Sequence, residues 1–263
     1  MIVERLWPGN AWRNFHYLIA CELTGEALAV DPLDWSLCLT RARERGWTIT
    51  HILNTHEHGD HIGGNEPLRA ATGARVLAHA GAASRIPDLD HGLEDGEVVR
   101  IGRNVELECL DTPGHTRSHL CLLGHAETPL LFCGDTLFNA GAGNCHHGGD
   151  PERLYETFTR RLARLPPTTL IHPGHDYLAR NLAFTLAREP TNVAARELLD
   201  ALDEREGDTA PVTTLARECE INTFFRLHQP EVIEGLRREF PQLPQDPDPR
   251  SVFLALRELR NRW

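Results

Sequence analysis

A short apolar strand predicted at residues 49–54 runs directly into a histidine-rich stretch, Thr55-His56-Glu57-His58-Gly59-Asp60-His61. Imidazole and carboxylate groups suit zinc, iron or manganese, and the absence of cysteine from the stretch argues against a closed structural zinc site. His56 and His58 leave an extended backbone on the same side and can share one ion. Gly59 allows the backbone to turn, which aims Asp60 and His61 at a second position. The strand is therefore expected to end at a site for two metal ions.

The composition limits the classes of protein and partner. A length of 263 residues suits one large domain, or a domain of common size with an appendage. With 41% hydrophobic and 25% charged residues the protein is expected to be soluble, and no apolar stretch approaches the length of a membrane span. The net charge of -11 argues against a nucleic-acid partner, which would need a basic face. An anionic substrate would require metal ions and a few placed arginines.

The first residues and the cysteines bear on the cellular compartment. Residues 1–5 lack the basic start and apolar core of a secretory signal, so we expect a cytoplasmic protein. The 7 cysteines are odd in number, scattered and never arranged as Cys-x-x-Cys, which fits reduced thiols better than disulfides. We also expect a monomer.

Short apolar or alternating segments, bounded by Gly, Pro, Asn or Asp, are interspersed with helical patterns as far as residue 176. The predicted strands cover residues 15–21, 27–31, 49–54, 76–79, 97–101, 105–110, 120–123, 130–133 and 168–172. Helices are predicted at residues 35–45, 63–71 and 151–165. Beyond residue 176 amphipathic segments separated by proline predict helices at residues 177–188, 192–205, 213–220, 230–240 and 251–262. We expect a mixed α/β domain, residues 1–176, followed by an all-helical domain, residues 177–263.

Further candidate ligands follow other predicted strands. His115 stands in Pro-Gly-His-Thr, Asp135 in Gly-Asp-Thr, and His172 and His175 in His-Pro-Gly-His-Asp. Any one of them alone would more often be a hydrogen-bonded polar residue in a loop. Together with the first stretch they supply enough groups for two ions that share Asp135.

The order His-x-His-x-Asp-His, then His115, Asp135 and His175, resembles that of the metallo-β-lactamase superfamily, and the helical C-terminal part resembles glyoxalase II, the hydroxyacylglutathione hydrolases. The resemblance covers nearly the whole chain. It implies a four-layer αββα sandwich with the metals at one edge of two sheets, so that residues 1–176 form the catalytic domain and residues 177–263 a substrate-binding domain. It also implies that the first metal is held by His56, His58 and His115, the second by Asp60, His61 and His175, and both by a bridging Asp135.

The C-terminal part makes the resemblance more specific, because lactamases, lactonases, nucleases and persulfide dioxygenases share the metal motif. The segment from Asn222 to Arg226 is similar to the glyoxalase II segment Asn-x-Phe-x-Arg, with Arg226 expected to be structural. The end of the chain is similar to Leu-Arg-x-x-Lys-Asp-x-Phe, which places Arg257 and Arg260 on glutathione carboxylates. The resemblance implies hydrolysis of a 2-hydroxyacylglutathione such as lactoylglutathione, with zinc as the expected metal and iron or manganese as alternatives.

One loop departs from the family pattern. After Gly-Asp-Thr-Leu-Phe many members continue with Gly-Cys-Gly, a basic residue, an aromatic pair and Glu-Gly, whereas residues 141–149 here read Gly-Ala-Gly-Asn-Cys-His-His-Gly-Gly. Asn144 and His146 replace a lysine-like and a tyrosine-like contact, while Tyr177 is retained. We expect these three residues to contact a glutathione thioester, with altered recognition or acyl preference. Cys145 could add a thiolate near the metals, although a role in the substrate loop fits better.

A thioester carbonyl needs a stronger nucleophile than water at neutral pH, and a hydroxide bridging two ions would supply it. Asp60 and Asp135 are the expected catalytic carboxylates. His119 and Asp31 are expected to orient ligands through hydrogen bonds, and His172 to support the ligands without binding metal. Three alternatives stay open: an iron-dependent persulfide dioxygenase, which the helical C-terminal part argues against; another hydrolase of this fold, such as a lactonase or lactamase; and a non-catalytic metal-binding protein, which the complete ligand set argues against.

Overall fold

The computed structural model describes residues 1–202 and 209–263. Two sheets of 6 strands each lie at its centre, beside a small hairpin of β11 (Leu137–Phe138) and β12 (Gly141–Ala142). The first sheet contains, in chain order, β1 (Ile2–Leu6), β2 (His16–Ala20), β3 (Glu26–Val30), β4 (Thr48–Asn54), β5 (Arg75–His79) and β6 (His91–Leu93). The second contains β7 (Val98–Ile101), β8 (Val105–Asp111), β9 (Leu120–Gly124), β10 (Leu130–Gly134), β13 (Leu170–Pro173) and β14 (Thr213–Thr214).

Alternation along the strands gives each sheet two buried faces, because successive side chains leave a strand on opposite sides. On β2, Leu18 packs outward against helices, whereas Tyr17 and Ile19 pack between the two sheets. On β4, Ile52 faces outward and Leu53 faces inward. The sheets therefore pack face to face, with a helical layer outside each of them.

The helices form the outer layers. The first sheet is covered by α1 (Trp35–Glu44) and α3 (Asn65–Thr72), and the short α2 (Gly59–Ile62) follows β4. The remaining helices lie on the side of the second sheet: α4 (Pro151–Glu156), α5 (Leu178–Arg188), α6 (Val193–Asp200), α7 (Leu215–Ile221), α8 (Pro230–Glu239) and α9 (Pro249–Arg262). Local signals position them, since Asp34 caps α1 and Asp150 caps α4 through their carboxylates.

The C-terminal helices share one apolar core with the second sheet. The Phe158 ring lies 6.2 Å from the Phe224 ring and 5.4 Å from the Phe253 ring, measured between centroids. Leu131 and Ile171 of the sheet belong to the same buried cluster. β14, which lies after residue 176, also pairs with β13 and so extends the sheet. This shared packing holds α5 and α9 beside the edge where β10 and β13 end.

The predicted four-layer αββα architecture is confirmed, and each predicted strand is present with its ends shifted by no more than two residues. The sequence pattern missed β1, β6, β14 and the β11–β12 hairpin, which are short or lack alternation. The helix predicted at residues 151–165 becomes α4, a π-helical segment (Thr157–Arg161) and a 3₁₀ turn (Leu162–Arg164). Of the helix predicted at residues 192–205, residues 203–205 lie outside the described part of the chain.

Two further expectations concern bonding and hydropathy. The 7 cysteines, all within the described ranges, are free thiols, so the prediction of reduced cysteines is confirmed. Among the described residues, no helix is both long and apolar enough to cross a membrane.

Candidate active site

One edge of the two sheets gathers the side chains predicted to bind metal. The loop after β4 continues into α2, another loop joins β8 to β9, and the strands β10 and β13 run parallel, so that they end at the same edge. The structure brings together there His56, His58, Asp60, His61, His115, Asp135 and His175. They form overlapping groups of three in which one potential ligand atom from each residue lies within 4.8 Å of the others.

His56 is held in a single tautomer by its neighbour. The Thr55 hydroxyl donates its only proton to Asp31 Oδ2 at 2.7 Å, so it accepts the N–H of His56 Nδ1, which lies 3.0 Å away. The Thr55 backbone N–H donates to the other carboxylate oxygen of Asp31. This arrangement leaves the lone pair of His56 Nε2 free to bind a cation.

His58 and His115 are oriented by backbone carbonyls. Nε2 of His58 donates to the carbonyl of His147 at 3.1 Å, and Nδ1 of His115 donates to the carbonyl of Asn144 at 2.7 Å. The free nitrogens, Nδ1 of His58 and Nε2 of His115, lie 3.0 Å apart, and His56 Nε2 lies 3.1 Å from the same His58 atom. Lone pairs that face one another at these distances repel, and a cation bound among them removes the repulsion. The first group therefore fits a metal ion held by three imidazoles.

His61 and His175 belong to the second group, and each is again oriented by a hydrogen bond from one ring nitrogen. Nδ1 of His61 donates to Asp31 at 3.0 Å, and Nδ1 of His175 donates to the carbonyl of Trp12 at 2.8 Å. Their free Nε2 atoms lie 3.2 Å apart. Asp60 Oδ2 lies 3.5 Å from His61 Nε2 and 3.4 Å from His175 Nε2, which adds a carboxylate to the pair. The second group fits a metal ion bound by two imidazoles and one carboxylate.

Asp135 lies between the two groups. Its Oδ2 is 3.5 Å from His115 Nε2 and 3.2 Å from His175 Nε2, while its Oδ1 is 3.5 Å from His61 Nε2. That buried Oδ1 has no hydrogen-bond partner among the described residues. A Cβ on Gly174 would lie only 2.5 Å from Oδ1, so glycine is required for this approach. Asp135 is therefore placed to contact ions in both groups.

Burial and charge set the protonation of these groups. Burial lowers the pKa of His115 to about 4. Burial acts in the same direction on His61, but the carboxylates of Asp135 and Asp31 outweigh it and raise the pKa of His61 well above 6.5. Burial would raise the pKa of Asp135, whereas His175 and His61 hold that pKa well below 3.8. At neutral pH His115 is a neutral imidazole and Asp135 is a carboxylate, which are the forms that bind a divalent cation. His61 is protonated in the absence of a cation, so its Nε2 proton must be released when one binds.

Residues outside the ligand set were predicted to orient it. His119 does so, because its Nε2 accepts the backbone N–H of Asp135 at 3.2 Å. Asp31 does so through His61 and Thr55. His172 does not, and the prediction that it supports the ligands is wrong. Its ring stacks on Phe132, and neither ring nitrogen has a hydrogen-bond partner within the described part of the chain.

A pocket of about 280 Å³ adjoins the ligand cluster. The structure brings to it every residue that the sequence predicts for substrate binding: Asn144, His146, Tyr177, Arg257 and Arg260. Phe138 lines it as well, with its ring 5.9 Å from that of His175. Of the described residues that line the pocket, none is acidic. In a chain with net charge -11 such a pocket is suited to an anion.

Sequence reasoning missed Arg180, which lines the same pocket from α5. Its charge is close enough to that of Arg260 to add to burial in lowering the pKa of Arg260. No motif marks Arg180, because it stands among other polar residues on an amphipathic helix. Sequence reasoning also assigned nothing to Glu57, whose buried carboxylate accepts hydrogen bonds from Arg85 and from the Thr116 hydroxyl beside His115.

The tyrosine and the cysteine of the substrate region have defined contacts. The Tyr177 ring stacks on His175 with centroids 5.0 Å apart, and its hydroxyl donates to the Trp12 carbonyl at 3.2 Å. Burial raises the pKa of the Cys145 thiol to about 11, so it is a thiol and not a thiolate at neutral pH. Arg226 pairs with Glu189 at 2.7 Å, which confirms its structural role.

The fold and the ligand cluster define a class of protein. Residues 22–175 match the family model described as the metallo-beta-lactamase superfamily. Residues 176–263 match the model for the C-terminus of hydroxyacylglutathione hydrolase. The chain belongs to the hydroxyacylglutathione hydrolase family of this superfamily, as the resemblance in the sequence implied.

Individual relatives agree with this assignment. The chain is 60% identical to a hydroxyacylglutathione hydrolase of Polaromonas sp. and 59% identical to one of Nitrosococcus oceani, in each case over 100% of both chains. Among solved structures it is similar to ETHE1 from Myxococcus xanthus, with a TM-score of 0.69, 28% identity, and coverage of 99% of this chain and 98% of that one.

Proposed function

We propose that this protein hydrolyses thioesters of the 2-hydroxyacylglutathione class, such as S-D-lactoylglutathione, to glutathione and a 2-hydroxy acid. The observation that carries the proposal is the position of an arginine-lined pocket, with no acidic side chain among the described residues that line it, directly beside the ligand cluster. Glutathione has carboxylates remote from its thiol, so a thioester can place its carbonyl at the cluster and its carboxylates on arginines. The name of the relatives that match over their full length supports the same substrate.

Two divalent cations are required, and zinc is the proposed metal. His56, His58 and His115 would hold one, Asp60, His61 and His175 the other, with Asp135 between them. Imidazole and carboxylate ligands suit zinc, and iron and manganese are accommodated by the same donors. When bound, the ions would lower the pKa of a coordinated water from about 15.7 to about 7 and polarise the thioester carbonyl.

The protein's own groups position the reactants. The Asp60 carboxylate is held by the amide of Asn14, whose Nδ2 donates to it at 3.3 Å, and from there it can accept a hydrogen bond from the attacking water. Arg260 uses one N–H for Asn181 Oδ1 at 3.2 Å, so its other N–H groups can donate to a substrate carboxylate. Binding the distant end of the substrate holds the carbonyl at the cluster, and binding energy there contributes to the rate.

The bond changes require no covalent intermediate with the protein. Water loses one proton to the solvent as its oxygen adds to the carbonyl carbon. The carbon–sulfur bond then breaks, its electron pair leaves with the glutathione sulfur as a thiolate, and the 2-hydroxy acid that forms loses its carboxyl proton to the solvent. A thiolate is a good leaving group at neutral pH, because the pKa of an ordinary thiol is about 8.5. The proposal therefore needs no nucleophilic serine or cysteine and no strong general acid.

The test measures thiol release by zinc-loaded and chelator-stripped protein. We expect rapid release from S-D-lactoylglutathione by the zinc form only. The matched substrate is the lactoyl thioester of N-acetylcysteamine, which has the same reacting bond without carboxylates. We expect its kcat/KM to be lower by at least about tenfold, since a charge-assisted contact at the partly buried Arg260 is worth about 1.5–3 kcal/mol and one at the exposed Arg180 adds about 0.2–1 kcal/mol. The absence of turnover, or equal kcat/KM for the two thioesters, would contradict the proposal.

A further inference from the structure

Arg257 is buried, with 4% of its surface exposed, at the point where α9 borders the pocket. Nη1 donates to the carbonyls of Ala142 at 2.7 Å and Gly143 at 2.8 Å. Nε and Nη2 donate to Asn261 Oδ1 at 3.2 Å and 2.9 Å. A guanidinium has five N–H groups, and these contacts use four of them. Most of the Arg257 guanidinium is therefore committed to contacts within the protein, whereas Arg260, on the next turn of α9, donates to Asn181 with one N–H.

The backbone that Arg257 holds is part of the wall of the ligand cluster. A Cβ on Gly143 would lie 1.8 Å from the carbonyl oxygen of Asp135 and 3.1 Å from His115 Nδ1, so the chain passes in direct contact with both ligands. The Gly143 N–H donates to the carbonyl of Thr136 at 3.2 Å, which fixes the loop from the other side. The next carbonyl, that of Asn144, accepts the Nδ1–H of His115 at 2.7 Å.

We propose that Arg257 is a positioning residue for His115. By holding the carbonyls of Ala142 and Gly143 it fixes the direction of the Asn144 carbonyl, and that carbonyl keeps His115 in the tautomer whose Nε2 lone pair faces the first metal position. Arg257 and Arg260 then differ although both lie on α9, because only Arg257 holds the backbone beside His115. The inference rests on the proposed function only in taking His115 as a metal ligand.

This role requires the several N–H donors of the arginine guanidinium and not only its positive charge. The planar guanidinium donates to two successive carbonyls and to Asn261 in one fixed geometry. A lysine ammonium has the same charge but lacks this fixed planar arrangement of donors. No acidic group accepts from Arg257 among the described residues, and burial lowers its pKa to about 10. It stays protonated at neutral pH. Because its hydrogen-bond acceptors are uncharged, these contacts depend on the geometry of the donors more than on ion pairing.

The experiment compares Arg257→Lys with the matched variant Arg260→Lys, which changes the same residue type on the same helix. Zinc affinity at the two sites is measured by competition with a chromophoric chelator, without any substrate. We expect Arg257→Lys to weaken the first site by about tenfold, the lower end of the 10–100-fold loss typical when the partner of a metal-bound histidine is removed. Arg260→Lys should bind both ions as the unsubstituted protein does and should show an increased KM.

A spectroscopic readout separates positioning from general damage to the fold. In cobalt(II)-loaded protein the imidazole N–H protons of the histidine ligands give separate, strongly shifted proton resonances. The N–H of His115 should broaden through exchange with water in Arg257→Lys, while the N–H of His175, bonded to Trp12, should remain sharp. Unchanged zinc affinity and an unchanged His115 resonance, together with a KM increased as in Arg260→Lys, would overturn the proposal.

A second variant keeps the test decisive if Arg257→Lys does not fold. Asn261 is exposed, and Asn261→Ala removes the acceptor for Nε and Nη2 while leaving Arg257 in place. We expect a twofold to fivefold loss at the first site and none at the second. Equal affinities in the variant and the unsubstituted protein would contradict the proposal. Neither measurement uses a thioester, so a failure of the proposed hydrolysis would not be mistaken for a failure of this inference.

Discussion

The ligand cluster and the arginine pocket lie side by side but are built differently. In the cluster each histidine ligand is buried or partly buried, and its second nitrogen is bonded to a carbonyl, hydroxyl or carboxylate. In the pocket Arg180 is exposed and Arg260 is only partly buried. The cluster is therefore preorganised before anything binds, whereas Arg180 and Arg260 have to lose side-chain freedom when a substrate binds. Substitutions in the cluster should affect chemistry strongly, and those in the pocket should affect binding moderately.

The largest effect is expected for Asp135→Asn. Because Asp135 faces both groups of ligands, loss of its charge should weaken both metal sites and lower kcat by at least about 10³-fold. Metal content after dialysis and thiol release measure the two effects. Asp150→Asn is the control, since asparagine caps a helix as well as aspartate does and α4 should be unaffected. If Asp135→Asn retained two metals and a tenth of the activity, the cluster would not be the rigid centre described above.

A smaller effect in the cluster is expected for Asp31→Asn, which leaves the metal ligands in place. Asp31 has a positive φ of 49°, which asparagine tolerates, so the change removes charge without backbone strain. Asp31 accepts the Nδ1–H of His61, and loss of such a partner typically lowers metal affinity about 10–100-fold. We expect that loss at the second site, where Asp31 accepts from a candidate ligand directly, and a smaller loss at the first, where it acts on His56 through Thr55, measured by chelator competition.

The control for Asp31→Asn is Asp34→Asn, which keeps the cap of α1 a few residues further along the same loop. Metal binding by that variant should be unchanged. A loss at the first site as large as that at the second would show that Asp31 does not act mainly through His61.

The same contrast explains what could be predicted from the sequence. His56, His58, Asp60 and His61 follow a buried strand within a few residues, so their type and spacing identify them. Backbone carbonyls orient three of the five clustered histidines, His58, His115 and His175, and a carbonyl leaves no signal in the residue type. The candidate metal ligands were therefore predictable from the sequence, whereas the contacts that preorganise them depend on how distant loops pack.

The lining of the pocket was harder to predict, because it depends on which faces of α5 and α9 point towards it. One face of α9 is buried and carries Phe253, Leu256 and Arg257. These positions have the i, i+3, i+4 spacing of a buried helical face, and that spacing alone would have predicted that Arg257 is buried. The family resemblance grouped Arg257 with Arg260 because it carries no information on burial. Arg180 lies on a different helix, and only the shared core of Phe158, Phe224 and Phe253 brings that helix to the site.

The smallest effects are expected in the pocket. Arg260→Met and Arg180→Met test whether the substrate carboxylates are bound by arginine side chains that become ordered only on binding. A charge-assisted contact at the partly buried Arg260 is worth about 1.5–3 kcal/mol, so its KM should rise at least about tenfold. The exposed Arg180 should contribute about 0.2–1 kcal/mol, a KM increase of no more than about fivefold, and kcat should change little in either variant.

Ionic strength distinguishes these two arginines further. Exposed charges are screened by salt more strongly than buried ones, so the rise of KM with added salt should be smaller in Arg180→Met than in the unsubstituted protein. Arg262→Met is the matched control, since Arg262 is exposed on α9, pairs with Glu258 at 3.0 Å and lies outside the pocket. A large fall in kcat for Arg180→Met, with KM unchanged, would mean that this arginine acts on the reacting carbonyl. Arg180 would then take part in the chemical step, and the distinction between a preorganised ligand cluster and a pocket that only binds substrate would not hold for this residue.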